Sequence, residues 1–445
     1  MAKTNNLGDF VTDIANTIRT ETQTETLINP QSFSSKISAF GNDLKKQNQE
    51  LETLLGVYPK EIDVTYGVKL DKSILTSGLW ESYTDEAVGL EPAYMDFDND
   101  TFVDNGWLSR YPFNQIKPCL LKDGQVVGYL NPNNYAEFED GTPATINDAS
   151  AGQVMIEIPY MAYHISKDDA NIYVKVSSKL KDGFIDDPFW YKGAKHDKIY
   201  VGAYLAPSIY YTTKGFPSLS GVGLNSLYAI NFENSYQYLS IHGAGFEMLP
   251  YSVLILLQCL YLIMFRNTNS QKALGYGYGT VQTTYTTGKM NTSGMYYGKS
   301  ASGGVKCFGI EDIYGARGVI CSGFYIDSSN NPRFIDTKNP NSSYDPAYYE
   351  DFVTTDTPIT MTGGSYGRVA NDIYGDPHIG FFYLTKGTDT NKGFCDYSMY
   401  RSNTICCEAG GTQSNAALGM FNQTTVLKSN QTYTRAVRLV YYPQS

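Results

Sequence analysis

From Leu249 to Phe265 the chain reads LPYSVLILLQCLYLIMF, seventeen residues without a charge. A run of this kind has two homes, a lipid bilayer or the interior of a protein. A membrane span wants about 20 apolar residues. This run is shorter, and it carries Pro250 near its start and Gln258 at its middle. A surface helix would show a polar face at helical spacing, and none is visible here. The run therefore predicts a core helix buried on most sides within its own chain. A helix so enclosed needs a large body around it, and 445 residues, 42% of them hydrophobic, can supply one.

The surrounding texture is that of strands. EIDVTYGVKL, QVVGYL, VMIEIPYMAYHI, NIYVKV and KIYVGAYL alternate or run apolar in short bursts, with Gly, Asn and Asp clusters between them. After about residue 268 the chain again reads as short strands and long polar loops. Few helices among many strands indicate an α+β fold. Residues 1–57 read differently. Leu7, Phe10, Val11, Ile14 and Ile18 share one helical face, Pro30 is placed to begin a second helix, and Phe33, Ile37 and Phe40 line it. Leu44, Leu51, Leu54 and Leu55 add about two heptads of apolar seam. Two heptads are too few to hold a coiled coil alone, so the seam either supports a trimer held elsewhere or lies on its own domain. The expected organisation is a helical segment over 1–57, a strand-rich lead-in over 58–150 and a large β-rich domain over 151–445. The lead-in is either separate or part of the large domain.

A net charge of −11 argues against nucleic acid as a partner, because phosphate binding needs a basic surface. The seven cysteines, at 119, 259, 307, 321, 395, 406 and 407, form no CxxC pair and no regular framework, which suits reduced thiols made in a cytoplasm. The start, MAKTNNLGDF, shows no secretory signal, and membrane insertion is not expected.

Catalytic and metal-binding patterns are weak. Asp96, Asp98, Asp100 and Asp104 resemble a calcium loop, but Thr101 and Trp107 stand where Gly and Glu are needed, so a polar hairpin turn is expected. His164, His196, His242 and His378 lie at no ligand spacing. GYGYGT at 275–280 lacks the strand–turn–helix setting of a phosphate loop. The pairs Asp168–Asp169 and Asp186–Asp187 read as ordinary loop charges. No cofactor or metal is implied.

Four segments carry a resemblance. KIYVGAYLAP (198–207) leads to LPYSVLILLQCLYLIMFRNTNSQKALGYGYG (249–279), then to CFGIEDIYGARGVICSGFYI (307–326), and the chain closes with AGGTQSNAALGMFNQTTVLKSNQTYTRAVRLVYY (409–442). In this order they resemble tail-associated proteins of phages and prophages that carry a C-type-lectin-like domain of the formylglycine-generating-enzyme type. That domain type also displays the variable sequence of diversity-generating retroelements. The resemblance covers about 150–442 and extends from about 60. The opening strings LGDFVTDIANTIR and INPQSFSSKISAF are together similar to a module at the start of many phage structural proteins. Within this reading Gly309 and Gly315 turn the backbone tightly while Glu311 and Asp312 bind loop amides, and RAVRLVYY is the closing strand, with Val437, Leu439 and Tyr441 on one face and Arg438 on the other.

The enzymes of this fold use reactive cysteines or a metal-binding histidine cluster. Adjacent Cys406 and Cys407 make poor redox partners, and Cys395 has no basic neighbour in Phe394 or Asp396. The resemblance thus implies the fold and not the catalysis. It implies a phage tail fibre or tip protein that binds a bacterial cell-surface receptor, glycan or protein. Other tail or baseplate proteins would hold its N-terminal segment, homotrimers are common among such proteins, and the virion is the expected location. A structural decoration protein and a formylglycine-generating-type oxidase are the alternatives.

The expected contact residues lie near the C-terminus. Thr412, Gln413, Ser414, Asn415, Asn422, Gln423, Thr424, Thr425, Lys428, Asn430, Gln431 and Tyr433 are small, polar or aromatic, and Ala417, Leu418, Met420 and Phe421 punctuate them. Tyr397, Tyr400, Arg401 and Asn403 are expected alongside. Buried anchors that hold adaptable polar residues outward make a binding face. In retroelement-diversified relatives this zone is the variable one.

Overall fold

β-Branched and aromatic residues at alternate positions make strands of Thr65–Asp71 and Asn171–Ser177, and Val68, Leu70, Ile172, Val174 and Val176 are fully buried on one face. The two pair antiparallel at the centre of a four-stranded sheet whose edges are Glu81–Asp85 and Ala162–Lys167. The computed structural model describes residues 63–74, 81–148, 150–206, 236, 243–278, 287–329, 331–354, 367–386, 394–398, 406–413, 416–426 and 435–444. The helical expectations for 1–57 lie outside the described residues.

A seven-stranded sheet is the largest layer. Its order is Phe246–Met248, Leu439–Tyr441, Lys198–Gly202, Gln153–Pro159, Lys117–Lys122, Gln125–Asn131 and Asn134–Phe138, with antiparallel pairing throughout. Strands from before residue 150 therefore pair directly with strands after it, and residues 63–445 form one compact unit. Of the two arrangements left open for the lead-in, the strand pairing is that of one unit with the later strands. A third sheet runs Gln423–Val426, Cys406–Ala409, Gly318–Cys321 and Arg435–Ala436, and only its last pair is parallel. The described chain is thus mostly antiparallel sheet with few helices.

The apolar run forms helix α1, Tyr251–Phe265, and every residue of it except Ser252 is buried. Pro250 opens the helix with a φ already suited to it, and Arg266 ends it in the left-handed conformation at φ 43°. α1 packs against Thr65–Asp71 and Asn171–Ser177. Its aromatic residues meet rings from distant segments, Tyr251 stacking on Phe324 at 4.4 Å and Tyr261 meeting Phe421 edge-on at 5.7 Å. Among the described residues no helix is long and apolar enough to cross a membrane.

The closing strand departs from expectation in one respect. Val437, Leu439 and Val440 enter the main core, whereas Tyr441 packs in a second cluster with Cys119, Leu121, Met155 and Tyr200. Regular pairing begins only at Leu439, where Met248 is its partner, so strict alternation from Val437 onward does not apply.

Candidate functional site

Two structural features frame the C-terminal stretch. The first is the GIEDIYG turn. Gly309 and Gly315 take φ of 78° and 77°, and a Cβ on Gly315 would lie 2.7 Å from the Gly277 Cα, so both positions require glycine. The Glu311 carboxylate accepts the amides of Gly288 (2.7 Å) and Met290 (2.9 Å), and Asp312 accepts the amide of Val305 (3.3 Å). Lys306 Nζ donates to the Met290 carbonyl and sits 3.7 Å above the Tyr135 ring. Burial raises the Glu311 carboxyl and lowers the Lys306 amine from their ordinary values. The Arg438 guanidinium, also buried, donates to the carbonyls of Gly202, Glu311 and Asp312 at 2.8, 2.8 and 3.1 Å. This cluster saturates its own backbone and locks the turn to the closing strand.

The second feature is the anchoring of residues 418–426. Leu418, Met420 and Phe421 are buried, and Phe421 lies edge-on among Tyr261, Phe381 and Phe394. Polar groups hold the backbone between them. Asp396, fully buried, accepts the amides of Gly419 and Phe421 at 2.8 Å each, and burial pushes its carboxyl up to about 6 against those hydrogen bonds. Ser270 Oγ accepts the Met420 amide at 2.9 Å, and Gln258 Nε2 of α1 donates to the Met420 carbonyl at 2.8 Å. Tyr251 donates to Gln423 Oε1 at 3.3 Å, and Gln423 Nε2 to Gln258 Oε1 at 3.4 Å.

This anchoring corrects part of the expected contact set. Asn422, Gln423 and Thr425 are 1%, 0% and 1% exposed. Gln423 faces α1, where Gln258 and Tyr251 provide polar partners, and the Asn422 side chain accepts the Gly411 amide. They are frame residues, and only Thr424 of this group is partly exposed. Tyr397, Thr412 and Gln413 sit on the strands Phe394–Ser398 and Thr412–Gln413, but their side chains are outside the described residues. Tyr400, Arg401, Asn403, Ser414, Asn415, Lys428, Asn430, Gln431 and Tyr433 also lie outside them.

Sequence reasoning passed over Asp396 and Gln258 as supports. A lone Gln within an apolar helix was the available signal, because a buried amide needs a partner. It also took Asp186 and Asp187 as loop charges. Asp186 is fully buried between Lys195 (3.0 Å) and Lys338 (3.2 Å) and accepts the Tyr160 hydroxyl; burial opposes its charge, yet these partners hold it below the ordinary carboxylate range. The Asp96 run forms the expected hairpin, Tyr94–Asp96 against Thr101–Val103, with Asp96 accepting the amides of Asp98 and Asn99 within the turn. The thiols of Cys119, Cys259 and Cys307 are buried, and burial raises all three. No protein-family model matches the chain, and no curated protein matches it.

Proposed function

We propose that the chain is a receptor-binding protein of a phage tail, with a lectin-like fold that presents its C-terminal stretch, between Gly411 and Arg435, to a bacterial surface ligand. The observation that carries this reading is the division of labour in that stretch. Five side-chain hydrogen bonds from Asp396, Ser270, Gln258 and Asn422 fasten the backbone of 411–422, and Leu418, Met420 and Phe421 fill the core beneath it. In sequence, the polar stretches 412–415 and 427–434 adjoin this fastened segment. An anchored frame with polar and Tyr residues adjoining it in sequence suits recognition, because a frame already held in place lowers the ordering cost of binding.

The reading includes attachment to the particle through residues 1–57, a homotrimeric assembly and a place in the virion. Binding without catalysis is part of the reading, and the buried Cys307 thiol agrees with it. A cysteine nucleophile needs a lowered pKa, and Cys307, inside the most recognisable motif, is held in the opposite direction by burial. The test is adsorption of the purified full chain to candidate host cells. Alanine at Gln413, Ser414, Lys428 and Gln431 together should abolish adsorption and leave thermal unfolding unchanged. Undiminished adsorption by that folded variant would overturn the reading.

A further inference from the structure

At the first turn of α1 lies a cavity of about 20 Å³. That is room for a water molecule or for one hydroxyl group. Tyr251 and Phe334 are among its aromatic walls, and Asp187, Ser252, Thr337 and His378 supply polar groups. The Thr337 side chain is 2% exposed, and its hydroxyl has no hydrogen-bond partner among the described residues. A buried hydroxyl in that state is disfavoured, and it leaves the cavity a polar group to offer a ligand. Ser252 stands in the first turn of a fifteen-residue helix, where backbone amides have no acceptor within the helix.

The charges choose between occupants. His378 contacts Asp187 through Nε2 at 3.5 Å and Asp376 through Nδ1 at 3.3 Å. Lys338 joins Asp187 and Asp186, each at 3.2 Å, and Lys195 joins Asp186 at 3.0 Å. Burial opposes the charge on His378, but the two carboxylates outweigh it and hold the imidazole up at about 9. Three carboxylates thus meet three cations, and the network is balanced without a bound ion. An anion would bring an unmatched charge and could give no hydrogen to Asp187. A hydroxyl group both donates, to the Asp187 carboxylate, and accepts, from Thr337 or the Ser252 amide.

Resting on the proposed binding role, we infer that this cavity is a subsite for a single hydroxyl group of a carbohydrate, with the rest of the sugar lying outside, over the half-exposed His378. The site is also joined to the anchored stretch, since the Tyr251 hydroxyl, which donates to the Ile379 carbonyl at 2.7 Å, lies 3.3 Å from Gln423 Oε1.

The experiment is saturation-transfer NMR on the full chain with methyl glycosides of glucose, galactose, mannose and N-acetylglucosamine, with glycerol as the smallest polyol and formate as the anion. At least one glycoside should receive saturation. Thr337→Val, which keeps the shape and removes the hydroxyl, should weaken that binding about tenfold, while Thr337→Ser should retain it. Equal melting temperatures for the three proteins establish that each is folded. Should the Val variant fail to fold, Asp187→Asn is the second variant and should weaken binding similarly. Stabilisation by formate with no response to any glycoside would make the cavity an anion site. No response to glycosides or glycerol would make it a water site. Glycoside binding indifferent to the variants would place the sugar elsewhere. Each of these overturns the inference. Adsorption of the same proteins to cells separates it from the broader reading: adsorption without glycoside binding removes the subsite alone, and failure of the wild type to adsorb to any host removes the receptor role.

Discussion

Gln258 Nε2 donates to the carbonyl of Met420 at 2.8 Å, joining the only strongly polar side chain of a buried helix to a backbone 162 residues further on. The same side chain accepts from Gln423 through its oxygen, so both ends of one amide serve the anchored stretch. Gln258→Leu would fit the apolar surroundings in size yet strand the Met420 carbonyl and remove one partner of the Gln423 amide. The expected cost is about 1–3 kcal/mol. Hydrogen exchange should show where it falls, with faster exchange at the amides of Gly419–Val426 than elsewhere. Uniform loss of protection across the whole unit would mean that the bond is part of the global core and no special support.

Leu257, next to it in α1, is 1% exposed and has no polar duty. Leu257→Ala should destabilise the whole unit by about 2–5 kcal/mol, because a packed site leaves a cavity that its neighbours fill only in part. Urea unfolding followed by fluorescence should show one cooperative transition at lower denaturant with an unchanged slope.

These two neighbours show what could be read from the sequence. The helix was legible because seventeen uncharged and mostly apolar residues admit few environments. Its polar exception was legible as a question, while the answer lay 162 residues away. Strand content was legible from local alternation, but Leu439–Tyr441 pairs with Lys198–Gly202 and Phe246–Met248, and no local pattern names a partner at that separation. The GIEDIYG acids were legible because Gly–acid–acid–Gly spacing suits a turn that needs amide acceptors. The direction of Asn422, Gln423 and Thr425 was not, because residue type alone marks them polar and only their partners make them buried. Asp186 misled for the same reason: two acids in a loop are usually solvated, and the lysines that pair with the buried Asp186 come from positions 195 and 338.

Stability should fall as pH rises, and Glu247 supplies one cause. Its side chain is buried, receives the Tyr191 hydroxyl at 3.2 Å, and is pushed by burial from about 4.5 up to about 8. The unfolded chain releases this proton near 4.5, whereas the folded one keeps it until about 8. Between those values the unfolded state binds fewer protons, so stability declines across that window and is flat with respect to this group above it. Glu247→Gln should be more stable than the wild type at alkaline pH, by on the order of a few kcal/mol, and should remove part of the slope. Melting temperatures measured across the window decide it, and parallel curves for the two proteins would remove Glu247 as the cause.

A chain beginning at Asp63 should fold with the melting temperature of the intact protein, because residues 63–445 form one compact unit. On the proposed division of labour it should fail to join virions. Assembly into particles in vivo, scored by the protein content of purified phage, tests this, and normal incorporation would move the attachment function out of residues 1–57.

Mutations in the C-terminal stretch should separate into two classes along lines that the burial pattern draws. Phe421→Ala removes a ring packed against Tyr261, Phe381 and Phe394 and should cost about 3–5 kcal/mol. Asn422→Ala belongs with it, because the buried side chain accepts the Gly411 amide, and it should cost about 1–3 kcal/mol. Asp396→Ala strips the acceptor from two buried amides at once and should be at least as damaging as Asn422→Ala. Tyr433→Ala and Lys428→Ala, outside the anchored segment, should leave the melting temperature nearly unchanged and weaken adsorption to host cells. An aromatic residue central to an interface is worth about 2 kcal/mol or more, which is roughly a thirtyfold loss of affinity. Melts and adsorption measured on the same preparations distinguish the classes. Frame variants should lose adsorption only in proportion to the folded fraction, so that at low temperature, where they are still folded, much of it returns. Contact variants should show the same deficit at every temperature at which the protein is folded. If Tyr433→Ala, Lys428→Ala and alanine at the remaining polar positions of 427–434 together leave adsorption intact, this segment is a plain connection between two strands and the receptor is held by another face.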